Sequence, residues 1–248
     1  MQTQTVQFDP AQYLKDGYSL VKGVFTEEEC LAFKRVLLEE IEEGKRQLEE
    51  ENKCGGATTY DRDKAADVPR GIHKGMLQDI AHRKQYFMDI AKDERILALI
   101  KPLLGEHLVM YRSLSVFKPK GYPQPVGWHQ DMAYWKGTDK KVSAWISLDN
   151  VDQATGAMQF IPETHNQLIL DTEVQNEVFS IVLKDRNIDQ SKVVTAETRR
   201  GDVVLFHANV IHGSGENETG KDRYTLIYTY QPASDPSHHR GGPPLVVC

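Results

Sequence analysis

The stretch that decides the fold reads Gly127-Trp-His-Gln-Asp-Met-Ala-Tyr-Trp135. At its centre, His129 and Asp131 stand two residues apart. In an extended strand, residues i and i+2 point to the same face, so this imidazole and this carboxylate can converge. They would supply two ligands of the 2-His-1-carboxylate triad that holds non-haem iron. A lone His-x-Asp recurs often in loops, so its meaning depends on a second histidine from elsewhere in the chain.

The sequence after residue 105 is typical of short antiparallel strands separated by turn residues. The pattern predicts strands at 107–117, 141–148, 157–161, 203–206 and 223–230. In the second of these, apolar residues alternate with Ser143, Trp145 and Ser147, which indicates one face toward a core and a more polar face toward a cavity. Between residues 163 and 200 the pattern weakens into a long charged stretch, and we expect either a plain loop or a lid over a site.

The first 105 residues are predicted to be mainly helical. Asp9-Pro10 is typical of a helix start, and that helix should end near Gly17, before a short strand at 18–25. Thr26-Glu-Glu-Glu29 forms a capping box that opens a long helix toward Glu50. After a polar loop at 52–71, we expect helices at 76–87 and 93–101, the second ended by Pro102.

Helices followed by many short strands favour a mainly β fold, a jelly roll or barrel with an N-terminal helical layer. We expect a single domain over residues 1–248. Its parts would be a mostly helical layer at 1–105, a jelly-roll core at 106–233 and a tail at 234–248.

Composition narrows the class of protein. The net charge of −6 disfavours a role in coating nucleic acid. The three cysteines, an odd number without a Cys-x-x-Cys pair, indicate reduced thiols rather than a disulfide framework. No run approaches the roughly twenty apolar residues that span a bilayer. We expect a cytoplasmic protein with a small-molecule substrate, no nucleic-acid or membrane partner, and a monomeric or homodimeric state.

Two histidines compete for the third ligand position, His207 and His212. They are five residues apart, so a regular strand would turn them to opposite faces. His212 precedes Gly213-Ser-Gly215, which leaves backbone room for a ligand, whereas His207 fits a hydrogen-bonded structural histidine. Arg223 follows His212 by eleven residues, at the head of a strand. An arginine alone is usually a surface residue, but a guanidinium beside a metal suits the binding of a carboxylate.

Several ordered blocks carry a resemblance to a known family. They are Trp-His-Gln-Asp at 128–131, Ala-Trp-Ile-Ser-Leu at 144–148, Phe-Ile-Pro-Glu-Thr-His at 160–165, Gly-Asp-Val-Val-Leu-Phe-His at 201–207, Ile-His-Gly-Ser-Gly at 211–215, and then Arg223. With this spacing the chain resembles the phytanoyl-CoA dioxygenase family of Fe(II)/2-oxoglutarate oxygenases.

That resemblance implies a double-stranded β-helix, a distorted cupin-like jelly roll. It assigns the iron to the catalytic residues His129, Asp131 and His212. It assigns the distal carboxylate of 2-oxoglutarate to Arg223, aided by Ser214. It places further residues around this cosubstrate, namely Gln130, Trp145 and Leu114. The implied cofactors are Fe(II), 2-oxoglutarate and O2. Lys74 is a looser match to a basic residue that some members bring to the cosubstrate.

The implied reaction hydroxylates an unactivated C–H bond of a small molecule and releases succinate and CO2. Because Asp131 is present, where related halogenases carry a small residue, hydroxylation is favoured over halogenation. Desaturation and ring formation remain alternative reactions. A cupin-like metal-binding protein without 2-oxoglutarate chemistry is a further alternative, although such a protein has no need of Arg223. Tyr134 and Trp135 are expected either on the substrate side or in the core.

Overall fold

The computed structural model describes residues 8–53, 72–73, 75–121, 125–173, 181–235, 237 and 245–248. Lys74 and most of the predicted polar loop at 52–71 lie outside these residues. The helices of the described part are α1 Pro10–Asp16, α2 Glu27–Lys53, α3 Ile80–Arg83, α4 Gln85–Ala91 and α5 Glu94–Leu104.

Antiparallel strands make up the rest of the fold. They are β1 Tyr18–Val21, β2 Ile72–His73, β3 Met76–Gln78, β4 Leu108–Lys118, β5 Val126–His129, β6 Val142–Ser147, β7 Met158–Ile161, β8 Thr172–Glu173, β9 Val182–Leu183, β10 Val194–Ala196, β11 Val203–His207, β12 Ile211–Ser214, β13 Arg223–Pro232 and β14 Leu245–Val246.

Two sheets form a double-stranded β-helix. The larger, which we call the major sheet, has the order β1-β11-β6-β13-β4-β3-β2, with β14 also paired to β4. The smaller, the minor sheet, has the order β10-β7-β12-β5. The fold class predicted from the sequence is confirmed.

The helices cover the outer face of the major sheet. Phe33, Leu37 and Ile41 of α2 belong to one buried cluster with Ala144 and Ile146 of β6. The predicted capping box is present, since the Thr26 backbone N–H donates to the Glu29 carboxylate at 2.8 Å and the Glu29 N–H donates to the Thr26 hydroxyl at 3.2 Å. The apolar face of α2 therefore packs on the core of the major sheet.

A second buried cluster lies between the two sheets. It joins Trp145 of β6 and Phe206 of β11 to Met158 and Phe160 of β7. Successive residues of β6 thus belong to different clusters, which confirms the predicted alternation of the strand. The face of the major sheet that carries Trp145 is called the inner face below.

Two predictions about element boundaries are wrong. Residues 76–78, predicted as helix, form β3, because their backbone groups pair with β4 from Leu114 to Val116. Pro102 does not end α5, which continues to Leu104 while Leu103 and Leu104 pack on the core. The major sheet also takes β1, at the strand predicted for 18–25, β2 and β3 from the first 105 residues, and β14 from the last residues of the chain.

The segment 163–200 is more regular than its sequence pattern indicates, in the part the structure describes. β10 is an edge strand of the minor sheet, and β8 pairs with β9 as a small ribbon. Leu183 and Ile188 pack with Ile211 and with the partly buried Trp128. This segment therefore lies against the strands β5 and β12. Across the described residues, no helix combines the length and apolar character needed to cross a membrane.

Candidate functional site

The structure brings His129, Asp131 and His212 together. One potential ligand atom from each lies within 4.8 Å of the others, and no second group of this kind occurs among the residues described. His129 and His212 are Cα partners on β5 and β12, and their ring centroids are 4.2 Å apart. Asp131 opens a short 3-10 turn just after β5, and its carboxylate lies 3.7 Å from His129 Nε2.

Backbone carbonyls orient both imidazoles. The distance from His129 Nδ1 to the Gly127 oxygen is 2.8 Å, and the distance from His212 Nδ1 to the Val210 oxygen is 3.0 Å. A carbonyl can only accept, so each Nδ1 carries the proton and each Nε2 keeps a free lone pair. A hydrogen bond from the ring nitrogen that does not bind the metal is the usual way in which a metal-binding histidine is oriented.

Burial keeps these histidines neutral. It lowers the pKa of His129 to about 4, with His212 adding to the effect, and it lowers the pKa of His212 to about 4 as well. Burial raises the pKa of Asp131 from its ordinary value, and the charges of His129 and Arg112 oppose that shift. Two neutral imidazoles and one carboxylate are a donor set that suits iron(II), so the residues present fit the metal.

His207 lies apart from this cluster. It ends β11 in the major sheet, whereas His212 belongs to β12 in the minor sheet, so a change of sheet separates them rather than the alternation of one strand. The Asn209 N–H donates to His207 Nδ1 at 3.0 Å, and the ring lies 5.3 Å from that of His165. These contacts are those of a structural histidine.

The side-chain amide of Gln130 contacts three backbone groups. Its amide nitrogen donates to the carbonyls of Asn209, at 2.5 Å, and Gln167, at 2.8 Å, and its oxygen accepts from the Ile169 N–H at 2.8 Å. The side chain is therefore occupied by backbone groups. It ties the segment after β7 to the end of β5.

Opposed residues on β6, β13 and β4 form rows across the inner face. Trp145, Ile227 and Leu114 make one apolar row. Toward one end of the inner face, beyond this apolar row, Arg223 is the Cα partner of Lys118. Both residues are buried. On the other side of the apolar row, Thr229 is opposite both Ser143 and Arg112. The inner face is therefore apolar in the middle and cationic toward both ends.

Arg223 is fully buried and faces the space between the sheets. One guanidinium nitrogen donates to the Gly156 carbonyl at 2.7 Å, and the group lies 5.7 Å from the centre of the Trp145 ring. Its Nε has no hydrogen-bond partner among the described residues. Burial lowers the pKa of Arg223 to about 10, so the group is still charged at neutral pH.

Ser214 is the last residue of β12 and is buried. Its carbonyl lies 3.4 Å from Lys118 Nζ, which faces the same end of the inner face as Arg223. Tyr134 and Trp135 are placed differently from each other. Tyr134 Oη accepts from the Ile181 N–H at 3.0 Å, and Trp135 packs on Tyr111 with ring centroids 5.3 Å apart.

Sequence reasoning missed Lys118 and Arg112. Both lie an even number of residues from Leu114, so in an extended strand their side chains share its face. Arg112 lies within the predicted strand at 107–117, and Lys118 follows directly after it. This alternation is the sequence signal that could have indicated them. The alternation alone does not show which face of the strand is the inner one. A β-bulge opposite Thr229 and Tyr230 further obscures it.

A jelly roll with a buried cluster of two histidines and one carboxylate, and with a buried arginine facing the same interior, defines a class of non-haem iron oxygenases. Comparisons with known proteins agree with this class. The sequence profile of the family "Phytanoyl-CoA dioxygenase (PhyH)" matches residues 13–225. The match covers most of the chain, and the chain belongs to this family.

Two curated relatives and one solved structure illustrate the range of similar proteins. A probable alpha-ketoglutarate-dependent hypophosphite dioxygenase of Stutzerimonas stutzeri is 28% identical over 235 residues, 90% of this chain and 77% of the relative. Phytanoyl-CoA dioxygenase domain-containing protein 1 of Danio rerio is 24% identical over 257 residues, 90% of this chain and 88% of the relative.

The solved structure is that of the epimerase SnoN in complex with Fe3+, alpha ketoglutarate and nogalamycin RO. It matches with a TM-score of 0.67 and 22% identity over 94% of this chain and 85% of that one. This similarity concerns the fold. Together, family membership and the named relatives identify the chain as a dioxygenase of the 2-oxoglutarate-dependent class.

Proposed function

We propose that this chain uses Fe(II), 2-oxoglutarate and O2 to hydroxylate a C–H bond of a small molecule, with release of succinate and CO2. His129, Asp131 and His212 hold the iron. Arg223 binds the distal carboxylate of 2-oxoglutarate, aided by Ser214, while Trp145 and Leu114 flank the cosubstrate. Iron(II), when bound, supplies the chemistry that couples decarboxylation of 2-oxoglutarate to oxidation of the substrate.

Buried Arg223 is the observation that carries this proposal. A guanidinium without a carboxylate partner is expensive to bury, and among the described residues no carboxylate pairs with it. A ligand carboxylate would offset that cost with charge-assisted hydrogen bonds in a bidentate geometry. A cupin-like metal protein without 2-oxoglutarate would have no use for this arginine, so its burial favours the cosubstrate.

Hydrogen bonds within the chain orient the side chains of the site without a ligand. The carbonyls of Gly127 and Val210 fix both histidine tautomers, so neither ring must reorient to bind a metal. Asp131 retains the carboxylate at the third position, which favours hydroxylation over halogenation. The buried rings of Phe160 and Phe206 lie 6.1 and 4.9 Å from the His212 ring and exclude water from that side of the cluster.

The position of Arg112 favours a substrate that carries an anionic group. It lies on the inner face, half-buried, beyond the apolar row from Arg223, and its guanidinium donates to the Gln78 side chain at 3.0 Å. Its charge makes a small contribution to the lowered pKa of His129 and opposes the raised pKa of Asp131, as expected for a cation on the same side of the fold as the cluster. A cation in this position would attract a substrate carboxylate or other oxyanion.

A cytoplasmic enzyme acting as a monomer or homodimer is also proposed. Cys30 is a buried free thiol and Cys248 is free as well, which suits a reducing compartment.

Succinate formation tests the proposed function. With Fe(II), 2-oxoglutarate and O2, we expect the parent chain to release succinate and Arg223→Ala to need at least about tenfold more 2-oxoglutarate for half-maximal release. Arg46→Ala is the matched control, because the Arg46 side chain is 69% exposed on α2. Equal dependence of the parent and Arg223→Ala on 2-oxoglutarate would show that the cosubstrate assignment is wrong.

A further inference from the structure

We propose that Lys118 is a second cation of the cosubstrate pocket and binds the distal carboxylate of 2-oxoglutarate together with Arg223. This inference rests on the function proposed above. It adds a residue that neither the motif nor the resemblance assigns, and it makes cosubstrate affinity sensitive to pH near neutrality.

The strand register places the two cations side by side. Lys118 is the last residue of β4, Arg223 is the first of β13, and the two are Cα partners. Directly opposed side chains on antiparallel strands have Cβ atoms about 5 Å apart. Phe117, the preceding residue, packs in the cluster under the helices, so Lys118 faces the opposite way, into the space between the sheets.

Gly156 confirms that both side chains share one pocket. Its carbonyl accepts from Arg223 at 2.7 Å, while a Cβ added at Gly156 would come within 3.1 Å of Lys118 Cδ and 2.8 Å of the Gly215 oxygen. Its φ of +79° also lies in the region that favours glycine. The absence of a side chain at this position leaves room for both cations.

Both charges are buried without a negative partner. Lys118 is 1% exposed and Arg223 is 2% exposed. Lys118 Nζ donates to the Gly215 carbonyl and lies 3.4 Å from the Ser214 oxygen, and within the described chain no carboxylate forms an ion pair with either cation. Two adjacent buried cations repel each other, so an anion between them would stabilise both.

The surrounding charges set where Lys118 titrates. Burial and, to a smaller extent, the positive charge of Arg223 lower its pKa to about 7, and Glu216 opposes the shift. Glu216 itself is exposed. Asp149, which acts on Arg223, is engaged by Lys34 at 2.6 Å and by Arg200 at 3.4 Å. A bound carboxylate favours the charged lysine, so affinity should be high below pH 7 and fall above it.

Anaerobic titration of the Fe(II)-loaded protein with 2-oxoglutarate, read by calorimetry, tests this role. At pH 6.5 we expect Lys118→Met to weaken binding about tenfold. Between pH 6.5 and pH 8.5, the affinity of the parent should fall about tenfold, whereas that of Lys118→Met should stay flat. 2-Oxobutyrate, which has no distal carboxylate, is the control ligand, and its affinity should be the same in parent and variant.

Lys118→Arg keeps the charge and is the second variant. It should bind 2-oxoglutarate at pH 6.5 within about threefold of the parent and show no decline up to pH 8.5, since arginine stays charged. A parent-like pH profile in Lys118→Arg would overturn the proposal even if Lys118→Met did not fold. So would unchanged 2-oxoglutarate affinity in Lys118→Met, or an equal loss of 2-oxobutyrate affinity, which would indicate a structural role.

Arg223→Met separates this inference from the proposed function. If Arg223→Met weakens 2-oxoglutarate binding while both Lys118 variants behave as the parent does, only the role of Lys118 is wrong. If the parent itself does not bind 2-oxoglutarate, the proposed function and the role of Lys118 are both wrong.

Discussion

His207 and His212 are five residues apart in the sequence, yet only His212 faces His129. The sequence predicts His212 as the ligand because of the glycines that follow it. The structure adds a physical reason, since the chain turns after His207 and enters the other sheet. His207 instead contacts Asn209 and His165.

Metal content distinguishes the two histidines. After anaerobic loading with Fe(II), His212→Ala should retain less than about a tenth of the iron bound by the parent, because the cluster loses one of its three ligands. His207→Ala should retain iron at the level of the parent. The reverse outcome, with iron lost from His207→Ala and kept by His212→Ala, would show that the ligand assignment is wrong.

Arg112 makes a prediction about substrate choice. If it binds an anionic group, Arg112→Met should lower kcat/KM for an acidic substrate by about tenfold or more. The KM for 2-oxoglutarate should not change, because Arg112 lies beyond the apolar row from Arg223. Paired assays of a carboxylic acid substrate and its amide measure the effect, and an equal loss for acid and amide would contradict it.

At the scale of the elements, the first turn of α2 is held by its capping box and by α5. Arg95 of α5 donates to both oxygens of the Glu29 carboxylate, at 3.1 and 2.8 Å. Hydrogen bonding by Arg95 is the largest of the effects that lower the pKa of Glu29 to about 2. The same carboxylate therefore stabilises the helix start and the contact between the two helices.

Glu29→Gln should lower the free energy of unfolding by about 1 kcal/mol at pH 7, since the pair is partly exposed and screened by solvent. A lowered pKa means that Glu29 contributes fully above its unfolded pKa of about 4.5 and loses this contribution as the pH falls toward 2. The difference between parent and variant should therefore shrink from pH 5 to pH 3. Urea unfolding measures it, with exposed Glu28→Gln as the control, and a difference that grows on acidification would contradict the pairing.

Local sequence patterns predicted those elements whose formation depends mainly on neighbouring residues. The capping box at Thr26, the alternation around Trp145 and the strand at 107–117 all depend on neighbouring residues, and all are present. β3 was missed because its pairing with β4 overrides a local pattern that reads as helix. β14, with two residues, depends on the same strand β4 and gives no local signal.

At the scale of the whole molecule, the site joins residues from both sheets. The histidines come from β5 and β12 of the minor sheet, and the cations come from β4 and β13 of the major sheet. Motif spacing and the resemblance indicated His129, Asp131, His212 and Arg223. They could not indicate Lys118, because its meaning arises only from its register against Arg223 and from the opening at Gly156.

The most direct test of the central claim is a crystal structure of the protein with iron and 2-oxoglutarate, grown anaerobically. We predict metal density between His129, Asp131 and His212, and the distal carboxylate of 2-oxoglutarate beside Arg223. Metal bound elsewhere, or 2-oxoglutarate without contact to Arg223, would contradict the account.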